Sequence, residues 1–163
     1  MQTLRTLSNF LFVASLAFLI AACSSLRLEE VDYGWPVETV LKVDQDNKVS
    51  DGRYAIAFTV SPIAQEEFND PFALAGHQLR LLRNSDGFYF VTGTGFKNVY
   101  VFEPGPKELR LTNKIVVSQE GLKHPALNLR SPYVELIDDG NFRIQMTNDD
   151  IVEDSTRLAE GGK

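Results

Sequence analysis

A chain of 163 residues with 16 Lys+Arg against 22 Asp+Glu carries a formal charge of −6, which argues against a nucleic-acid binder, since that role needs a basic face to neutralise phosphates. The same balance argues against electrostatic docking on anionic lipid. A single cysteine excludes an internal disulfide and a dithiol redox centre, and the length suits one domain that buries a core without staples.

The first 22 residues run from a polar head bearing Arg5 through an apolar stretch to small residues, the layout of a bacterial export signal. The apolar run Phe10 to Ala22 is shorter than the roughly 20 residues of a spanning helix, and no charged stop-transfer cluster waits at Cys23. Ile20-Ala21-Ala22-Cys23 resembles the lipobox of bacterial lipoproteins, in which a branched apolar residue and two small ones precede the modified cysteine. The resemblance covers the signal and lipobox only. It implies cleavage between Ala22 and Cys23, diacylation of the Cys23 thiol and acylation of the new amino terminus, so that lipid on Cys23 holds the protein to a membrane. It also implies, from Ser24 where inner-membrane lipoproteins of this kind carry aspartate, an outer-membrane address in a host with two membranes. The physics agrees: a lone exported cysteine is lipid-modified, paired between chains or free, and two or three acyl chains make attachment effectively permanent where one is marginal. Removal of the signal takes away Arg5 alone among the charges, leaving 15 Lys+Arg against 22 Asp+Glu and a net charge of −7.

Residues 23–32 read as the lipidated terminus and a tether, 33–148 as the β-rich domain, and 149–163 as a tail. Fully extended, the nine residues after Cys23 reach about 30 Å, which keeps the domain near its membrane. Trp35, followed by Pro36, reads as a plug over one end of the sheet, with a ligand-stacking platform as the other role an aromatic there could take.

From Val37 the apolar pattern alternates with period two, as in strands with one buried and one wet face. Val37–Val43 and Arg53–Val60 are predicted as a first pair around a solvated loop, Asp44 to Gly52. That loop has oxygen side chains at alternate positions, but Val49 stands where a calcium loop needs glycine, Lys48 where it needs an oxygen and Ala55 where it needs the bidentate glutamate. Ser61 is the expected cap and Pro62 the expected first residue of a helix to Asn69, with a further turn over Phe72–Ala75 ending at Gly76. This insertion reads as a crossover or lid. Strands are then expected over His77–Arg83, Phe88–Thr92, Lys97–Glu103 and Glu108–Ser118, the last with Leu109, Leu111, Ile115 and Val117 on one side. Asn84-Ser85-Asp86-Gly87 is a hairpin signal. Gly93-x-Gly95 precedes strand-like sequence, with asparagine at 98, so it is not a dinucleotide fingerprint. Gln119–Pro132 reads as loop, Tyr133–Ile137 and Phe142–Thr147 as a last hairpin, and the residues from Asn148 as a short helix.

About eight strands joined by short turns imply an all-β fold, a single antiparallel β-sandwich or small β-barrel with one helical insertion. No sequence feature calls for a cofactor or a metal. His77 and His124 lack ligand spacing, and Ser118, His124 and Asp138 form a triad only on paper. The acid pairs Glu66-Glu67, Asp138-Asp139 and Asp149-Asp150 fall in turns and helix ends, whereas catalytic acids face each other across a cleft. The expected function is a non-catalytic envelope lipoprotein whose β-domain binds a protein or cell-wall partner, with Trp35, Phe88, Phe90, Tyr100 and Phe102 as candidate contacts. The alternative is a small barrel carrying an apolar ligand in a cavity lined by Phe88, Phe90, Tyr100, Phe102, Tyr133 and Phe142.

Overall fold

The computed structural model describes residues 38–140 and 142–154; Ala22, Cys23, the tether and Trp35 lie outside the described residues. Within them the alternating segments form strands β1 (Thr39–Lys42), β2 (Lys48–Asp51), β3 (Ile56–Thr59), β4 (Gln78–Arg83), β5 (Tyr89–Gly93), β6 (Asn98–Pro104), β7 (Leu109–Val116), β8 (Ala126–Arg130), β9 (Tyr133–Asp138), β10 (Phe142–Met146) and β11 (Ile151–Asp154), with one helix, α1 (Ser61–Phe68), between β3 and β4. They build a five-stranded sheet in the order β1-β4-β5-β6-β7, a four-stranded sheet β11-β10-β9-β8 and the hairpin β2-β3, all antiparallel. The fold is mainly β and sandwich-like, as the short turns and period-two pattern predict.

Register decides which residues share a face, because paired residues point the same way and neighbours along a strand point opposite ways. One face of the five-stranded sheet carries Leu41, Leu79, Leu81, Val91 and Tyr100; the other carries Leu82, Phe90, Val99, Val101 and Ile115. On the second face Arg80 and Asn113 reach toward β8 and the turn after β10, through Glu38 and Asn148, so the four-stranded sheet covers it. Leu127, Val134, Leu136, Ile144 and Met146 supply that sheet's share of the core. On the first face α1 packs through Phe68 against Phe96, which meets Tyr100, and Tyr54 of the β2-β3 turn packs on Tyr89. The insertion therefore covers a sheet face. With both sides covered, all five residues of β5 are buried, where alternation alone predicts one wet face.

Five local expectations are corrected. β1 pairs with β4, and β3 pairs with β2, which lies inside the predicted 44–52 loop. The reason is a tighter turn: Asp44 Oδ1 accepts the N–H of both Asp46 and Lys48, Asn47 takes a φ of 58°, and the chain is extended again by Lys48. Helix α1 has Val60, not Ser61, at its cap position, with no side-chain cap bond, and Ser61 is already helical. Gln119–Pro132 contains β8, because buried Leu127 pairs with Leu136 on the core face. The tail from Asn148 forms no helix over Ile151–Asp154; this segment is β11, a fourth strand on β10, and the domain extends past 148. Finally, β7 does not place its four apolar residues together. A bulge between the Asn113 and Leu111 pairings leaves Thr112 as an extra residue and changes face. Ile115 then faces the second sheet beside Val99, while Leu109 and Leu111 turn to the opposite face beside Pro104 and Phe102.

Candidate functional site

The candidate rings are divided by this register. Phe90 and Tyr100 are 0 % and 1 % exposed and sit on opposite faces of one sheet, so they belong to two separate packed layers and line no common void. Phe88 and Phe102 are half-buried. Tyr133 and Phe142 belong to the other sheet, again on opposite faces of it. Trp35, Ala22 and Cys23 lie outside the described residues.

The polar candidates are mostly engaged with backbone. Asp138 accepts the main-chain N–H of Lys123 and of His124, pinning the loop after β7, and Ser118 Oγ accepts the N–H of Gly121. His124 Nδ1 lies 3.1 Å from Asp139, but both side chains stand open to solvent, at 79 % and 59 % exposure. His77 is exposed. In the 44–47 turn the side chains serve the fold: Asp44 closes the turn, and buried Asn47 donates its amide to the Pro71 carbonyl. Among the described residues no group of three or more His, Cys, Asp or Glu could hold a metal ion.

Glu66 and Glu67 fasten α1 to the sheet. Glu67 accepts the main-chain N–H of Lys97 and, through its other oxygen, both the N–H and the side-chain amide of Asn98. Glu66 pairs with Lys114 on the surface and holds the ammonium pKa above its ordinary value. Beneath them lies the Tyr100 hydroxyl, buried beside these carboxylates in poor hydrogen-bonding geometry. Burial first, then the charges of Glu67 and Glu66, push the phenol far above its usual pKa, so it stays protonated. Through these contacts Glu66 and Glu67 hold the helix on the sheet.

What does face solvent is a shelf at the hairpin end of the first face. Arg83, Tyr89, Phe102 and Leu111 lie in one row across β4, β5, β6 and β7, because each is registered with the next; Tyr89 is buried within the row, and the other three reach the surface to differing degrees. Pro104 and Leu109 form the row beyond it. Phe102 and Leu109 are half-buried and Leu111 is 47 % exposed. Helix α1 and the β2-β3 hairpin cover the rest of this face, and Tyr54 marks where the cover ends, its ring edge-on to Tyr89 at 5.6 Å. The Arg83 guanidinium lies 6.0 Å from the Tyr54 ring centre and 5.6 Å from that of Tyr89. Next to the shelf, Glu103, Pro104, Gly105, Pro106, Glu108 and Arg110 line a depression of about 220 Å³ across the β6-β7 turn, where Arg110 pairs with Glu103 and that pairing holds the guanidinium pKa up.

Of the contacts expected from residue type, Phe102 is in the shelf, whereas Phe88 and the buried Phe90 and Tyr100 are not. Residue type does not single out Arg83, Tyr54, Leu109 or Leu111 as contacts. Their meeting depends on cross-strand register and on the bulge at Thr112, and neither leaves a mark in the alternation of a single strand.

No protein-family model matches the chain, and no curated protein and no solved structure matches it.

Proposed function

We infer that this is a lipid-anchored protein of the bacterial envelope whose β-domain binds a partner, another protein or a cell-wall component, through the shelf of Phe102, Pro104, Leu109 and Leu111. The observation that carries the reading is the change of face at Thr112, which turns Leu109 and Leu111 of an edge strand to the opposite face from Ile115 and leaves Leu111 exposed beside half-buried Leu109 and Phe102. Leaving Leu111 at the surface forgoes on the order of 1 kcal/mol of apolar burial; apolar side chains grouped at a surface beside an arginine and a tyrosine have the composition of an interface centre. The anchor rests on the export-signal layout and on Ile20-Ala21-Ala22-Cys23. The reading is of a non-catalytic binding domain, and the exposure of the His124–Asp139 pair on its loop is in keeping with it.

The carrier alternative has less support. The rings expected to line its cavity are shared between the faces of two sheets.

The test is site-specific photocrosslinking in cells. A photoreactive residue in place of Leu111 is expected to capture a discrete envelope partner, and the same residue in place of exposed Val152 on β11 is not. Equal capture at both sites, or none at Leu111, would remove the shelf from consideration.

A further inference from the structure

We propose that the partner reaches this shelf as an extended peptide segment carrying a carboxylate, which docks on the guanidinium of Arg83 while its apolar residues lie on Phe102 and Leu111. The proposal rests on the shelf being the binding surface and adds the chemistry of what it binds.

Arg83 differs from the other arginines whose pairings are known. Arg80 meets Glu38, Arg110 meets Glu103 and Arg130 meets Glu135. Arg83, exposed at the end of β4, meets no carboxylate among the described residues. It is nonetheless held in place. Its guanidinium lies over two tyrosine rings, and Nε donates to the Gly87 carbonyl at a long 3.5 Å. These contacts hold the guanidinium beside the two rings and engage Nε, leaving its terminal nitrogens for an incoming acceptor such as a carboxylate. An unpaired but immobilised cation gives up less side-chain entropy on binding than a free one.

Geometry favours a peptide. From β4 to β7 the row spans three strand spacings, about 14 Å at 4.7–4.9 Å each. Four or five extended residues at about 3.3 Å each cover that distance, enough to join a carboxylate over Arg83 to an apolar side chain at Leu111. A sheet of anionic lipid would instead meet the whole chain of net charge −6 and be repelled, with Asp86 in the adjacent turn and Glu103 and Glu108 beside the shelf adding to the opposition. One carboxylate on an otherwise neutral segment avoids most of that field.

The probe is a set of acetylated, C-terminally amidated pentapeptides with one Asp or Glu among apolar residues, each paired with its Asn or Gln counterpart. Binding to the intact, detergent-solubilised lipoprotein is read by fluorescence anisotropy. Members of the acid set are expected to bind about ten- to a hundredfold tighter than their amide twins, and Arg83→Gln is expected to abolish that preference without lowering the melting temperature. As a readout independent of the variant, the Arg83 Nε–H resonance is expected to shift with the acidic peptides and not with the amides. Equal affinity of acid and amide members, a preference that survives R83Q, or Arg83-dependent binding to phosphatidylglycerol vesicles in place of peptides would each overturn the assignment. Leu111→Asp separates the two levels: if it weakens peptide binding while acid and amide remain equal, the shelf stands and the carboxylate assignment falls; if it changes neither peptide binding nor crosslinking, the shelf itself falls.

Discussion

Glu38 joins the two sheets across their margins: one carboxylate oxygen accepts the main-chain N–H of Leu127 on β8, and the other pairs with Arg80 of β4 at 2.6 Å. β8 is the last strand of its sheet, so this N–H has no strand to bond to. At the opposite seam Asn113 on β7 does the same work, its Oδ1 accepting the Lys114 N–H at 2.8 Å and its amide donating to the Asn148 carbonyl at 3.1 Å. Bare strand margins invite pairing with other chains, and side chains that occupy their polar groups remove the template. Replacing Glu38 with alanine leaves Leu127 N–H and Arg80 without their partner and is expected to cost about 2 kcal/mol. A drop in the urea midpoint at unchanged slope, with more aggregation on refolding, is the measurement to make.

Glu67→Ala removes three hydrogen bonds that hold α1 to the β5-β6 connection. The expected loss is about 2 kcal/mol, with faster proteolysis within 61–76. Glu67→Gln, which keeps one acceptor, is expected to lose less. A stability equal to the parent's in both variants would mean that apolar packing of Ile63, Ala64 and Phe68 alone seats the helix.

Tyr100→Phe tests the buried hydroxyl. Because that buried oxygen is in poor hydrogen-bonding geometry where it lies, its removal is expected to be neutral or to stabilise by up to about 1 kcal/mol. The pH dependence follows from the raised phenol pKa. In the unfolded chain tyrosine ionises near its ordinary value of about 10, whereas in the fold it stays neutral, so the stabilisation is complete below pH 10 and declines as pH rises above it. The phenylalanine variant is expected to lose less stability between about pH 10 and 11 than the parent in matched denaturant titrations.

Two glycines offer a matched comparison. Gly121 has φ +96° and a side chain there would meet the Gly95 carbonyl oxygen at 2.7 Å, where two loops are tied by Gly95 N–H to Leu122 O and Leu122 N–H to Phe96 O. Gly76 has φ +79° with open space around it. Gly76→Ala is expected to cost about 1–2 kcal/mol from backbone strain alone, and Gly121→Ala at least about 1 kcal/mol more from the clash. Equal thermal shifts would show that the loops separate easily.

Cys23→Ala is expected to move the protein from the membrane fraction to the soluble envelope fraction and to leave its β-sheet circular dichroism unchanged. Retention in the membrane, or an intact mass that still begins at Met1 with a free thiol, would remove the lipid anchor.

The strands that sequence alone resolves are those with long alternation and a strong turn beside them. β4 and β5 lie within a residue or two of where Asn84-Ser85-Asp86-Gly87 places them, β9 and β10 of where Asp138-Asp139-Gly140 does, and β6 of where Gly93-Thr94-Gly95 and Pro104-Gly105-Pro106 bound it. What alternation misses is short or paired at long range. β2 has one buried apolar residue, Val49, and forms because Asp44 and Asn47 shorten the preceding turn. β8 and β11 are strands because β9 and β10 offer them partners, which is tertiary information. The shelf is less visible still. Leu111 reads as a core residue in any regular strand, and only the pairing with Phe102 shows that it is not.

The double coverage of β5 has a kinetic counterpart. With neighbours bonded on either side and packed layers above and below, the Phe90 and Val91 amides have no path to solvent that leaves the domain assembled. Their exchange with deuterium is therefore expected to run at the pace of complete unfolding, so these two protons serve as a clock for the stability of the whole domain.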